Sequence, residues 1–294
     1  MSLDDELPLR STGSWRVGII GDPVAHSFSP RFQQAAFDAL HIAARYELWH
    51  TSADQLVERV QSLYEEDCLG ANVTIPHKLA VLPLLDKIDP LAALIGAVNT
   101  IVHRDGDLYG YNTDAPGLIY ALHEHGVGEL RVDGQVSLKG YTVVLLGAGG
   151  AARGAAFGLA FAGIERLILV NRSLERAQSL AMEVQQVYDG PVSTLSDPTG
   201  LIPYPASIII NATSLGMYGD VSPLSAEQLA RFASDTLVYD MIYNPGQTCL
   251  LRLAQEMGLR TANGLSMLLH QGALAFKLWT GQDAPLAVMR AALF

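Results

Sequence analysis

Leu145-Leu146-Gly147-Ala148-Gly149-Gly150-Ala151-Ala152 lies between an apolar run, Thr142 to Leu146, and a small-residue stretch, Ala151 to Ala162, that reads as a helix. The octet fits G-x-G-x-x-[G/A], with Gly147, Gly149 and Ala152 in the fingerprint positions. The first glycine permits a tight turn, the second lets backbone approach a pyrophosphate, and the small third residue lets helix and strand pack. Unpaired N–H groups at the start of the helix would then face the phosphates. A glycine-rich turn alone is weak, but strand before, helix after and a second strand, Leu167 to Val170, give it the context of a dinucleotide site. Gly147, Ala148, Gly149, Gly150 and Ala151 are its expected contacts.

The tip of that second strand selects the nucleotide. An acidic residue there would accept hydrogen bonds from a ribose 2′-OH, as in NAD sites. Here the strand ends Val170-Asn171-Arg172-Ser173, with Arg176 one helical turn on and Glu175 between the arginines. Two guanidinium groups and a hydroxyl suit a 2′-phosphate, so NADP is favoured, with Asn171, Arg172, Ser173 and Arg176 as its ligands. Beyond this point come a helix from Leu174 to Val187 and strands at Ala206 to Ile210 and Leu237 to Tyr239. A helix from Thr248 to Met257 and a strand from Arg260 to Ala262 complete the series. Alternating βα units imply a parallel sheet covered on both faces.

Upstream, strands are expected at Val17 to Ile20, Ala44 to Trp49 and Leu69 to Val73. Helices are expected at Arg31 to Leu40, Ala53 to Glu65, Leu79 to Leu85, Pro90 to Ile95 and roughly Ala115 to His125. Asp105-Gly106, between Val98–His103 and Leu108–Tyr111, is a hairpin signal. This half is a mixed α/β unit with one antiparallel excursion. After Asn263-Gly264 the pattern becomes helical to Gly281, and a last helix runs from Leu286 to Leu293. Composition alone would let these two helices join either domain.

The chain has 294 residues, 49% hydrophobic and 17% charged, enough for two domains with substantial cores. A net charge of −11 and no concentrated basic patch argue against a nucleic-acid or anionic-membrane partner. Cys68 and Cys249 have no CxxC or Cys/His spacing, so two buried thiols in a reducing cytosol are expected, with no metal site. Met1 to Ser14 reads as an acidic, frayed tail without signal-peptide order, and no stretch reaches membrane-spanning length. A cytoplasmic monomer or homodimer acting on a small molecule is expected.

Four polar constellations stand outside the dinucleotide fold: His26-Ser27-Phe28-Ser29-Pro30, Asn72-Val73-Thr74-Ile75-Pro76-His77-Lys78, Gly96-Ala97-Val98-Asn99-Thr100 and Gly110-Tyr111-Asn112-Thr113-Asp114. Three of them have an ordinary reading. Ser29 would be a helix N-cap with Pro30 in the first turn, Lys78 a solvated lysine, Asp114 the cap of the next helix. Asn72 to Lys78 also puts a cation where α/β sheets bind ligands, beyond the carboxyl end of a strand.

Taken in order, these motifs resemble the shikimate dehydrogenases. The resemblance continues through Gly147 to Arg153, Asn171-Arg172-Ser173, Asn211-Ala212-Thr213-Ser214-Leu215-Gly216-Met217 and Asp240-Met241-Ile242-Tyr243-Asn244-Pro245. It ends with Asn263-Gly264-Leu265-x-Met267-Leu268-x-x-Gln271-Gly272-Ala273, so that it covers about Val17 to Thr280. It departs at Ser173, where Thr is usual, at Phe32-Gln33-Gln34 in place of Ile-His-Asn, and at Ala115-Pro116, where Gly is common first.

The resemblance implies a Rossmann-type doubly wound NADP domain, residues 115–264, and a separate α/β substrate domain, residues 1–114 completed by 265–294. It implies reversible, NADP-dependent reduction of 3-dehydroshikimate to shikimate, a step toward chorismate and the aromatic amino acids. Ser27, Ser29 and Tyr243 would bind the substrate carboxylate; Thr74, Asn99, Lys78, Asp114 and Gln271 would surround the ring hydroxyls. Lys78 and Asp114 would handle the proton, and Met241 and Gly264 would border the nicotinamide. The alternatives are a dual quinate/shikimate dehydrogenase and a non-enzymatic NADP-binding module; the latter has no need of a Lys78–Asp114 pair.

Overall fold

A computed structural model describes residues 14–201 and 208–293. The expected tail, apart from Ser14, and the first two residues of the Ala206–Ile210 strand lie outside the described residues. The chain divides into two compact units, one running to Gly117 and resuming at Leu269, the other spanning Leu118 to Leu268.

The first unit contains β1 (Trp15–Gly21), α1 (Ser29–Ala39), β2 (Ala44–His50), α2 (Leu56–Gln61), β3 (Cys68–Val73), β4 (Lys87–Ile88), α3 (Pro90–Ile95), β5 (Thr100–Arg104) and β6 (Asp107–Tyr111). Its sheet has the order β2-β1-β3-β5-β6-β4. The β1, β2 and β3 strands run parallel, whereas β5 pairs antiparallel with both β3 and β6. The hairpin forms at Asp105-Gly106, both at positive φ (54° and 82°), as a type I′ turn requires. On one side Ile20, Trp49, Val73 and Val98 pack with Leu56, Val60 and Leu63.

The chain crosses between the units in α4 (Asp114–Glu124). The second unit then holds a short hairpin, β7 (Glu129–Leu130) and β8 (Val136–Ser137), followed by β9 (Thr142–Leu146), α5 (Gly150–Phe161), β10 (Arg166–Val170), α6 (Leu174–Val184), β11 (Val192–Leu195) and β12 (Ile208–Asn211). After these come α7 (Ala226–Leu229), β13 (Leu237–Asp240), α8 (Cys249–Glu256) and β14 (Arg260–Asn263). The strand order is β11-β10-β9-β12-β13-β14, and every pair is parallel. From β9 the sheet grows one way through β10 and β11; at β12 it restarts beside β9 and grows the other way. This is a Rossmann-type doubly wound sheet, and ligands bind beyond the strand ends at such a switch point. Its central strands are buried on both faces, which explains why Val143 to Leu146 and Ile208 to Ile210 are apolar runs with no alternation. The chain crosses back in α9 (Leu265–Thr280), and α10 (Leu286–Leu293) belongs to the first unit, where Phe276 of α9 packs on Phe37 of α1 with ring centroids 4.9 Å apart.

Several local expectations need correcting. Leu79 to Leu85 is not an α-helix: its bonds are Leu82 N–H to Leu79 O (3.2 Å) and Leu84 N–H to Val81 O (2.9 Å). Pro83 has no N–H to give Leu79, so only a 3₁₀ turn, Leu82–Leu84, survives. The helix expected from Ala53 to Glu65 is broken into α2 between two 3₁₀ turns. The Ser62 hydroxyl donates to the Arg59 carbonyl at 2.7 Å, competing with the helical ladder where it stops. The α6 helix ends at Val184 rather than Val187, because its last bonds tighten to i→i+3 closures. Edge strand β11 was not foreseen, since Val192-Ser193-Thr194-Leu195 is half-buried throughout and shows no alternation. Cys68 is buried as expected, but Cys249 is only half-buried. Among the described residues no helix is long and apolar enough to cross a membrane.

Candidate active site

In the first unit the polar motifs gather at and below the carboxyl ends of β1 and β3. The α1 helix starts at Ser29 with Phe28 in the cap position, so Ser29 is not the N-cap; instead the Ser27 Oγ accepts the Ser29 N–H at 3.2 Å. That arrangement holds both serines in one turn, Ser27 half-buried and Ser29 buried. Burial pushes the pKa of the Tyr46 phenol up, with the Ser29 side chain acting in the opposite direction. The phenol in turn donates to Asn72 Oδ1 at 2.7 Å.

From Asn72 the polar layer continues. Its amide Nδ2 donates to the Asn99 carbonyl (3.3 Å) and to Thr100 Oγ1 (3.2 Å). Asn99 Oδ1 accepts the Thr113 N–H at 2.7 Å, while its Nδ2 donates to Thr113 Oγ1 (3.0 Å) and Gln271 Oε1 (3.4 Å). Asn72, Asn99, Thr100, Thr113 and Gln271 are all buried. Buried amides are costly unless satisfied, and here they satisfy one another. Thr74, half-buried, is fixed through its N–H to the Ile20 carbonyl at 2.9 Å.

Lys78 Nζ donates to Asp114 Oδ2 at 2.6 Å, with side-chain exposures of 30% and 23%. Asp114 is free for this pairing because Asn112 Oδ1 receives the Ala115 N–H at 3.1 Å and serves the start of α4. The capping reading of Asp114 therefore yields to the ion pair. An ammonium has three N–H donors, so two remain for a ligand.

The second unit presents backbone rather than side chains. Gly147 has φ 112°, and its N–H donates to Val170 O at 2.8 Å; a Cβ there would stand 3.2 Å from Thr213 Cγ2. Gly149 caps α5 with an ordinary φ of −90°, and no atom lies within 4 Å of where a Cβ on Gly149 or Gly150 would be. Packing does not demand glycine at these two positions, and the space at the helix N-terminus is open. Ala148 and Ala151 flank them, and Ala152 is fully buried against the sheet.

At the tip of β10, Asn171 Nδ2 donates to the Ser173 carbonyl at 2.8 Å and shapes the turn into α6. Ser173 is the N-cap of α6 and makes no side-chain cap bond. Arg172 and Arg176 are exposed, and among the described residues neither is ion-paired. Open backbone N–H groups beside two uncommitted guanidiniums fit a pyrophosphate and a further phosphate.

The loop after β13 carries Met241 and Tyr243. It is pinned by Asp240, fully buried, which accepts from Thr248 Oγ1 (2.6 Å), Asn211 Nδ2 (3.0 Å) and the Ile242 N–H (3.1 Å). Burial raises the Asp240 carboxyl above its ordinary range despite these donors, and burial also raises Tyr243. A Cβ on Gly264 would overlap the Met241 carbonyl, so that glycine is required by packing whatever else it touches.

Sequence reasoning passed over Tyr46, Asn72, Thr113 and Asp240. Three of these lie inside the quoted motifs, where a buried polar residue beside an assigned one was the available signal. Tyr46 lies in a strand with nothing to mark it.

Comparison with known proteins agrees with this layout. Residues 19–101 match the shikimate dehydrogenase substrate binding domain, 130–218 the shikimate / quinate 5-dehydrogenase family, and 264–294 the shikimate 5′-dehydrogenase C-terminal domain. The shikimate dehydrogenase (NADP(+)) of Desulforamulus reducens is 41% identical over 276 residues, 93% of this chain and 92% of its own. The shikimate 5-dehydrogenase of Thermus thermophilus, solved in complex with NADP(H) and shikimate, superposes with a TM-score of 0.82 at 37% identity, covering 95% of this chain and 98% of that one. Quinate dehydrogenase from Corynebacterium glutamicum, in complex with NAD, gives 0.83 at 30% identity over 95% and 98%. Identity of this order along nearly the whole length of both chains, on the fold and motifs described above, is decisive: the chain belongs to the shikimate dehydrogenase family.

Proposed function

We propose that this protein interconverts 3-dehydroshikimate and shikimate with NADP as the redox partner. The observation that carries the reading is the Lys78–Asp114 pair at 2.6 Å, in a unit whose buried amides Asn99 and Gln271 are already oriented by one another. Ser27 and Ser29 offer hydroxyls to the substrate carboxylate, and Tyr243 keeps the same role from the family resemblance. Thr74, Asn99 and Gln271 hold the ring hydroxyls. NADPH, when bound, supplies the hydride that reduces the carbonyl carbon, leaving negative charge on its oxygen. Lys78 stabilises that charge and gives the oxygen a proton, and Asp114 keeps the ammonium aimed. In the oxidising direction the same amine receives the proton.

On the cofactor side, Gly147 to Ala151 cradle the pyrophosphate, Asn171 and Ser173 shape the strand tip, and Arg172 and Arg176 meet the 2′-phosphate. Met241 and Gly264 border the nicotinamide. The unbridged thiols Cys68 and Cys249 suit a reducing cytoplasm. The test is a steady-state comparison of shikimate and quinate with each nicotinamide cofactor. The highest kcat/KM is expected for shikimate with NADP; equal values for NADP and NAD, or a preference for quinate, would overturn the reading.

A further inference from the structure

The turn that carries Lys78 is held by hydrogen bonds more than by apolar packing. Between Thr74 and Val81 only His77 and Val81 have buried side chains, while Ile75 and Leu79 are 73% and 63% exposed. A turn that turns its apolar residues outward cannot be fixed by packing alone. His77 is 1% exposed, and its Nε2 lies 2.7 Å from the carbonyl oxygen of Thr51. A carbonyl only accepts, so the imidazole donates from Nε2.

Thr51 is itself immobilised. It is 1% exposed, its N–H donates to the Gly21 carbonyl at 3.1 Å, and its hydroxyl donates to the Trp49 carbonyl at 2.9 Å. One hydrogen bond thus ties the residue next to Lys78 to the ends of both β1 and β2. On the other side the Lys78 carbonyl accepts the Val98 N–H at 2.8 Å. The lysine backbone is held between these two anchors, and its ammonium reaches Asp114 from that fixed base.

We infer that His77 is a positioning residue for the proton-transfer lysine, acting through its Nε2 hydrogen bond to Thr51. It touches neither substrate nor cofactor. The inference rests on the assignment of Lys78 in the proposed function. A misplacement of about 1 Å in a reacting group costs up to about a hundredfold in rate, and loss of this anchor removes one of the two tethers that flank Lys78.

The test compares His77→Leu, which fills the space without a donor, with His77→Gln, whose amide can still donate to Thr51. Saturating kcat, KM for shikimate and thermal midpoint are measured on all three proteins. His77→Leu is expected to lose at least about tenfold in kcat while KM for shikimate moves less than about threefold. His77→Gln should recover most of the lost kcat. A purely structural role would lower the thermal midpoint of His77→Leu and leave kcat of the folded enzyme unchanged, and that result would overturn the inference. So would a glutamine variant as slow as the leucine one. If the wild type itself did not oxidise shikimate with NADP, the functional reading would fall first and take this inference with it; a fully active wild type with an unaffected His77→Leu sinks the inference alone.

Discussion

Around Asn99, polar side chains meet polar side chains: its amide is shared among Thr113, Thr100 and Gln271, and Asn72 and Tyr46 extend the layer toward Ser29. Around Gly149 the opposite holds, for the two glycines there face open space and the nearby arginines are uncommitted. The first site is organised before any ligand arrives, by groups that would be expensive to leave unpaired. The second is organised by the backbone alone, at the point where a parallel sheet reverses its growth. A ring with several hydroxyls is distinguished from its relatives by hydrogen bonds fixed in direction. Phosphates tolerate a looser fit and need charge and free N–H groups. Under the proposed function the two units divide the work accordingly.

The largest effect should come from breaking the organised side at its charged pair. Lys78→Ala is expected to fold, to bind NADP normally, and to lose about 10²–10⁴-fold in kcat, the range for removing a positioned acid or base. Nucleotide binding followed by fluorescence, beside the steady-state rate, separates the two sites. A variant keeping more than about a tenth of wild-type kcat would remove Lys78 from the chemistry and leave the pair a structural ion bridge.

A smaller effect is expected from the looser side. Arg172→Ala should raise KM for NADP by about tenfold or more, as loss of one charge-assisted contact does, reduced by screening because the group is exposed. The KM for NAD should stay nearly constant, and the preference for NADP should become less sensitive to added salt. If NAD and NADP suffered equally, the arginine would be shaping the loop rather than reading the 2′-phosphate.

The same contrast explains what could be read from the sequence. Gly147 and the arginines at the β10 tip are legible because the backbone or the charge sets residue type locally, and Gly149 is legible through its place in the glycine motif. The Asn99 layer is not, since Tyr46, Asn72, Thr113 and Gln271 come together only through the tertiary fold; the family resemblance, not spacing, brought Asn99 and Gln271 into one site. Local rules also misled where a neighbour could do the same job. Ser29 reads as a cap, but Ser27 takes the N–H; Asp114 reads as a cap, but Asn112 does the capping. Leu79 to Leu85 has helical apolar spacing, and a single missing N–H at Pro83 overrides it.

The finest test of the comparison uses two glycines two residues apart. Gly147 has φ 112°, so an alanine there is strained by about 1–2 kcal/mol and its methyl presses on Thr213. Gly149 has φ −90° and ψ −172°, which alanine adopts freely, and its methyl would enter empty space. Replacing a glycine at such a site restricts the unfolded chain and stabilises the fold by about 0.4–1 kcal/mol. Gly147→Ala should therefore lower the denaturation midpoint, while Gly149→Ala should leave it unchanged or raise it slightly. Yet Gly149→Ala should weaken NADP binding, because its methyl takes the place where the pyrophosphate approaches the helix N-terminus. Titration of NADP into the two variants, together with chemical denaturation, reads both quantities. A Gly149→Ala protein that bound NADP as tightly as the wild type would show that the space at the head of α5 belongs to solvent, and the backbone-built half of the comparison would have to be moved elsewhere on the β9–β12 edge.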